Sequence, residues 1–381
     1  MQSRRRAVGI VSAAVIGGAE ARGARLESSA YAGVPADKLT GLILGPGPDG
    51  RCDDAKTAIG VPRWDEAGHR WLMWYFCRDR VTSPHLPPTL SSGRIALAAS
   101  PDGMRWDRIT GPLTAGAVLE PATETDAFDS VHVGLTDVTF ADGQWWMWYF
   151  GGDNEKIALS FGTYPGYRMR AGLAVSKDGV HWTKRKGPAT GGALVETNGA
   201  LYSAWHNALH ADGKIYMYTA VTDIKLSRWD TLIYVSRDQG ATWDGPTPLK
   251  WLDPSPGYDG CGELTRNIMP NPLRTGHRWL MAYTALDGDR SRWQRRSVAL
   301  AVSDDAMTWR RLYGKPIFEI GDATAWDGGG VAAPQLMQID RQWRLYYHGF
   351  PTPALDPSLP KGMGLAVTDR SEPQGFQRFA G

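Results

Sequence analysis

A run of aromatic residues around one Met or Leu occurs five times in this chain, and no other feature constrains the fold as tightly. The runs are Trp71 to Tyr75, Trp145 to Tyr149, Ile215 to Tyr218, Trp279 to Tyr283 and Trp343 to Tyr347. Their central residues, Met73, Met147, Met217, Met281 and Leu345, recur at intervals of 64 to 74 residues. A second signature trails each run: Ser100, Asp102, Gly103 and Trp106; Ser176, Asp178, Gly179 and Trp182; Ser236, Asp238, Gly240 and Trp243; Ser303, Asp305 and Trp309; and a shortened Thr368 and Asp369. Self-similarity at a fixed period marks a repeat architecture. Within each copy the apolar stretches are short, aromatic or β-branched, and they end at Asp-Gly, Gly-Pro or Asn-Gly turn signals, so each copy reads as four antiparallel strands.

Separate sheets of this kind would leave their edges open, whereas radial closure protects them. The expected fold is therefore all-β: a five-bladed β-propeller over 39–381, in which five units of about 68 residues fill the length. Asp and Gly of the second signature suit the tight turn between the third and fourth strands, and its Trp packs between neighbouring blades. These aspartates are read as scaffold.

Composition narrows the function. A net charge of +2 leaves no basic footprint for nucleic acid or an anionic membrane. Cys52, Cys77 and Cys261 show no zinc-site spacing, although one Cys52–Cys77 bridge is compatible with their number. No apolar run approaches the roughly 20 residues of a spanning helix. Residues 1–38 differ from the rest: Arg4, Arg5 and Arg6 precede the weakly apolar stretch Ala7 to Gly18, with Arg22 and Arg25 behind it. They read as a cleavable secretory or organellar leader, or as a disordered tail.

The first strand of each blade lines the channel of a propeller, so functional side chains are expected just before each aromatic run. Alignment on those runs places Arg63, Asp137, Asn207, Asn271 and Gln335 at one level. A second acid recurs further out, at Asp53 or Asp54, Asp129, Asp259 and Asp327, and repetition in four blades argues for architecture over chemistry. Departures from the repeat are more informative, because a fold needs the same residue in every unit and a reaction needs different ones. Glu263 and Arg266 lie in an insertion in blade four, His206 precedes Asn207, His132 lies near Asp137, and His348 ends a strand of blade five. Each has a plainer alternative: an ion pair for Glu263 and Arg266, a hydrogen-bonded wall residue for each histidine, and packing for Trp146, Trp148 and Trp205.

Together, the five units, the Gly172 to Trp182 segment, Asp137-Val138 ahead of Asp142 to Tyr149, and Tyr346 to Gly349 resemble the arabinanase, levansucrase and invertase superfamily of propeller glycosidases. That superfamily includes glycoside hydrolase families 43 and 32 and the family 130 mannoside phosphorylases. The resemblance covers roughly 50–381. It implies a funnel with three carboxylates: Asp54 (or Asp53) as base or nucleophile, Asp137 as the orienting carboxylate, and Glu263 as proton donor. Blade one lacks the Asp-Pro the family shows, and blade three has His206-Asn207 where its Glu is expected.

The implied function is cleavage of a glycosidic bond in an oligo- or polysaccharide, with Arg63, His132, His206, Asn207, Arg266, Asn271, Gln335 and His348 binding substrate and no cofactor or metal. Such chemistry needs two carboxyl groups about 5–9.5 Å apart across the scissile bond. The alternatives are a non-catalytic glycan- or partner-binding propeller, and a phosphorylase in which Arg63, Arg266 and His348 hold phosphate. A secreted or periplasmic site, or an organelle, follows from the leader reading.

Overall fold

The computed structural model describes residues 33–81, 93–160, 162–225, 228–289, 296–352 and 358–381. The leader read over 1–38 lies outside the described residues as far as position 32. Five antiparallel meanders follow one another along the chain. Their innermost strands are Lys56–Asp65, His132–Ala141, Tyr202–Ala211, Gly262–Pro270 and Gly330–Ile339. Each pairs with the aromatic strand after it: Arg70–Arg78, Gln144–Gly152, Lys214–Thr222, Trp279–Leu286 and Gln342–Phe350. Third and short fourth strands complete each unit. Hydrogen-bonded sheets alone do not count the blades, because a parallel bridge from Met169 to Tyr202 joins the second and third meanders into one sheet. The innermost strands settle the arrangement. Each contacts the next in order, and the fifth contacts the first, which is a closed ring around a channel.

Closure is reinforced by both chain ends. Leu42–Leu44 pairs antiparallel with the third strand of blade five, Gly362–Thr368, and Gln377–Arg378 pairs with the same strand further along. The turn Ala36–Leu39 is docked as well, since the backbone carbonyl of Lys38 accepts a bond of 3.1 Å from the Trp326 N–H.

Both repeated signatures act as the sequence implies. In the turn after the third strand, Ser100 Oγ accepts the Gly103 N–H at 2.8 Å, and Asp102 Oδ1 accepts those of Met104 and Arg105. Ser176 with Asp178, Ser236 with Asp238, and Ser303 with Asp305 do the same, the last with Ala306 at φ 62° where the other turns have glycine. The following Trp then meets the preceding blade. Trp106, Trp182, Trp243 and Trp309 lie 6.0–6.4 Å, ring to ring, from Tyr346, Trp74, Trp148 and Tyr218. Three of those partners also donate to a carbonyl in the next blade's turn: Trp74 to Gly179, Tyr218 to Ala306 and Tyr346 to Gly103. Cys52 and Cys77 are buried in one cluster as free thiols, so the bridge compatible with the sequence is not formed here.

Trp309 is fully buried in this contact, so Trp309→Ala is expected to destabilise the ring by about 3–5 kcal/mol. Phe140→Ala, at a ring 59% exposed, should shift the urea midpoint far less. Equal midpoints for the two variants would contradict the inter-blade role.

Candidate functional site

Strand register locates the channel-lining belt. Opposite the residue that follows each central Met or Leu stand Val61, Asp137, Asn207, Asn267 and Gln335. Asn271 is therefore not in the belt. It lies beyond the strand end at Pro270 and caps a turn, its side chain bonding Thr275, the carbonyl of His277 and the N–H of Leu273. Asn267 escapes alignment on the aromatic runs because it stands 14 residues before Met281 where Asn207 stands 10 before Met217: eight residues, 271–278, join its two strands instead of the two that join those of blade three. Arg63 sits two residues past the belt position, which Val61 fills, yet its guanidinium reaches back into the belt.

The belt staples neighbouring blades. Asp137 Oδ2 accepts the Ala208 N–H at 3.2 Å, Asn207 Oδ1 accepts the Arg266 N–H at 3.2 Å, and Asn267 Oδ1 accepts the Leu336 N–H at 3.0 Å. Gln335 Oε1 completes the circle by accepting Arg63 Nη1 at 2.9 Å. Arg63 also donates to Asp137 Oδ1 at 2.9 Å and to the Val138 carbonyl. Burial pushes the Asp137 carboxyl above its ordinary range, against the pull of Arg63 and of the Ala208 and Val138 N–H groups. Both of its oxygens are occupied.

The outer acids form a second repeated device. Asp53, Asp129, Asp259 and Asp327 each accept a Tyr hydroxyl from their own aromatic strand, from Tyr75, Tyr149, Tyr283 and Tyr347. Each also pairs at 2.6–2.7 Å with a cation of the fourth strand: Arg108, Lys184, Arg311 and Arg378. Four identical triads support the architectural reading of these acids. Blade three lacks the acid and carries Thr219 where the others have Tyr. Asp54 stands beside this device, its oxygens accepting the Gly50 and Arg80 N–H groups at 2.9 and 2.7 Å.

Glu263 turns sideways between blades three and four. It accepts the Thr231 hydroxyl at 2.7 Å, while Arg266 Nη2 donates to the hydroxyl oxygen of Thr231. Glu263 and Arg266 are both buried, and burial raises the carboxyl of Glu263 while lowering Arg266 to about 10. The three carboxylates expected to act together thus share no hydrogen-bonding partner. The histidines are wall residues: His132, His206 and His348 bond the carbonyls of Gly166, Gly172 and Gly362. Burial holds His132 and His348 at about 3 and His206 at about 4, so all three are neutral. Arg63, Arg266 and His348 do not converge on one another through any shared partner. Among the described residues no three His, Cys, Asp or Glu side chains are grouped to hold a metal ion.

Several cations outside the repeat stand at the end of the blades where innermost and third strands begin and aromatic strands end. Lys56 is directly opposite Arg78, and Nζ of Lys56 and Cζ of Arg78 lie 5.7 and 4.8 Å from the centre of the Phe76 ring. From blades four and five, Arg296 approaches the Phe350 ring at 5.5 Å, and His348 lies 5.7 Å from the same ring. Lys361 is adjacent to Gly362, whose carbonyl binds His348. Desolvation, then Arg78, Lys361 and Arg296, lower Lys56 to about 7. The sequence signal was an absence of repetition: positions matching Lys56 are His132, Tyr202, Gly262 and Gly330, each the first residue of its innermost strand.

No protein-family profile and no curated protein matches the sequence. Solved structures do match in shape. A family 130 enzyme described as a glycoside hydrolase that targets β-1,2-mannosidic linkages in Candida mannan aligns over 90% of this chain and 95% of its own, with TM-score 0.59 and 15% identity. The fold is that of the propeller glycosidases. A thermostable family 43 glycoside hydrolase aligns over 86% of this chain and 95% of its own, with TM-score 0.57 and 14% identity. An N-acetylgalactosamine deacetylase from F. plautii, in complex with blood group B trisaccharide, gives 86% and 94%, 0.57 and 14%. The propeller glycosidase fold thus carries more than one reaction, and here the site has to be argued from its own residues.

Two measurements check this geometry. Asn267→Ala strands a buried N–H and should cost about 1–3 kcal/mol, whereas Asn271→Ala in the outer turn should cost less than about 1 kcal/mol. For Lys56 the folded value lies below the unfolded 10.5, so the unfolded chain holds the extra proton between about pH 7 and 10.5. Lys56 therefore opposes folding at acid pH, and that opposition fades as pH rises through this window. Its neutral amine should also be the first lysine acetylated by limiting acetic anhydride at neutral pH, read by peptide mass spectrometry. A reactivity for Lys56 no higher than that of the exposed lysines would refute the assignment.

Proposed function

We propose that this protein is a glycoside hydrolase-like propeller that takes an oligo- or polysaccharide at the channel face. The observation that carries the reading is the match to carbohydrate-acting propellers over about nine-tenths of the chain, combined with the polar belt of Asp137, Asn207, Asn267 and Gln335 along the channel. In the hydrolytic version Asp137 orients substrate through the Arg63 pair, with Asp54 as base and Glu263 as acid.

A second reading, glycan binding without cleavage, is favoured by one specific observation. Asp54, Asp137 and Glu263 each hold structural hydrogen bonds, and hydrolysis through them requires Asp54 to release Gly50 and Arg80 and Glu263 to release Thr231.

The deciding experiment incubates the purified full chain with aryl glycosides and natural oligosaccharides, with and without phosphate, and follows reducing sugar and sugar phosphate. For a hydrolase, Asp137→Asn should lower turnover by about 10²-fold or more with the near-ultraviolet dichroism of the Trp-rich core unchanged. Saturable glycan binding with no turnover on the whole panel establishes the second reading instead, and a folded protein that neither binds nor cleaves any glycan overturns both.

A further inference from the structure

Blade two departs from its neighbours between its second and third strands. The chain there adds a short hairpin, Ile157–Leu159 paired with Gly162–Tyr164, which has no counterpart among the described residues. The hairpin borders a cavity of about 360 Å³ whose other wall belongs to blade three: Leu201, just before the innermost strand, and Asp223 and Ile224, just after the aromatic strand. A space of that size is in the range of small-molecule sites. None of its lining residues belongs to the belt, the triads or the Glu263 cluster.

Contacts across the junction of the two blades hold the cavity in shape. Arg168 pairs with both oxygens of Glu155 at 3.0 and 3.1 Å and donates to the Ala200 carbonyl at 2.7 Å, so one side chain ties blade two to the approach to blade three. Three of its five N–H donors are thereby used. The Met169 N–H bonds the Leu201 carbonyl at 3.2 Å. Ile157 and Leu201 are buried in one cluster with Tyr202 and Trp229 and give the cavity its apolar wall, while Ile224 stands at the rim, 54% exposed.

The polar groups around that wall carry both signs. Lys156 is exposed and has no ion-pair partner among the described residues. Asp223 has none among them either, and uses one carboxylate oxygen on the Lys225 N–H at 2.9 Å. With Arg168 balanced by Glu155, one positive and one negative group line the same space. A ligand with a net charge gains from one of them and is repelled by the other. Hydroxyl groups both donate and accept, so a polyhydroxyl ligand is served by both. Aliphatic side chains alongside suit the C–H face of a sugar ring.

We propose that this cavity is a second glycan subsite, in which Lys156, Arg168 and Asp223 hydrogen-bond the hydroxyls of an uncharged sugar and Ile157, Leu201 and Ile224 pack on its ring. The proposal rests on the carbohydrate reading above, and adds that the glycan is neutral and is held at the junction of blades two and three as well as in the channel.

The test uses the full chain with four probes: neutral tetrasaccharides of mannose, xylose and arabinose, and tetragalacturonic acid. Acetylation of Lys156 by acetic anhydride, read by peptide mass spectrometry, reports occupancy of the cavity itself, and calorimetry on the same samples reports binding anywhere on the protein. At least one neutral probe should protect Lys156 and leave the exposed Lys250, paired into the outer strands of blade four, as reactive as before. Ile224→Asp and Asp223→Ala, both at exposed positions where loss of folding is not expected, should each raise the concentration that gives half-protection by about fivefold or more. Near-ultraviolet dichroism confirms that each variant is folded.

Calorimetric binding of a probe with Lys156 unprotected, or protection that neither variant weakens, would overturn the subsite and leave the carbohydrate reading standing. Stronger protection by tetragalacturonic acid than by every neutral probe would overturn the neutral ligand. Failure of the folded protein to bind any of the four would remove both the subsite and the reading beneath it.

Discussion

The ring depends on one contact repeated around it: the Trp of each Asp-Gly turn set against an aromatic residue on the second strand of the preceding blade. Trp106 on Tyr346 is the contact that matters most, because it joins the first blade to the last and turns a row of sheets into a closed body. A row of sheets would expose two edges and the apolar faces of the end blades, and closure removes both at once. The hydroxyl of Tyr346, bonded to the Gly103 carbonyl, fixes the angle of that junction as well as its distance. Leu42–Leu44 then ties the start of the chain to the final blade, so the two ends support the same seam.

Closure makes the channel a crowded place. Five innermost strands converge there without pairing with one another, and the N–H groups facing their neighbours need acceptors. Asp137, Asn207 and Asn267 supply them across successive blades, and Gln335 accepts from the Arg63 guanidinium where Val61 has no polar atom to offer. Residues that look like a substrate-facing ring in the sequence are thus largely consumed by the scaffold. The same logic governs the Asp–Tyr–cation triads, which fasten the loop before each innermost strand to the outer part of its own blade. Blade three gives up the acid and the Tyr together, and the Glu263, Thr231 and Arg266 cluster stands at its junction with blade four.

Asp54, Asp137 and Glu263 each hold hydrogen bonds within the ring, so chemistry through them has to displace those bonds. Lys56, Arg78, Arg296 and Lys361 stand outside the five-fold repeat, and departures from a repeat are where a reaction can differ from the architecture that carries it.

The repeat period, the strand-rich units, the turn chemistry of Ser-x-Asp-Gly and the inter-blade Trp were all legible from the amino-acid order, because each rests on residues close together in the chain and repeated. The level of Asp137, Asn207 and Gln335 was legible for the same reason. Asn267 was not, since the eight-residue connection 271–278 sets it four residues further from its aromatic run than its counterparts, and only backbone pairing reveals it. Nor were the fates of Asp54, Asp137 and Glu263: a carboxylate reads alike in sequence whether it faces a ligand or accepts a neighbour's N–H. Arg63 meets Gln335 across 272 residues, and ring closure alone places them together. Sequence determined the unit and its repetition; the tertiary structure decided which polar groups the scaffold uses, because that depends on contacts between blades.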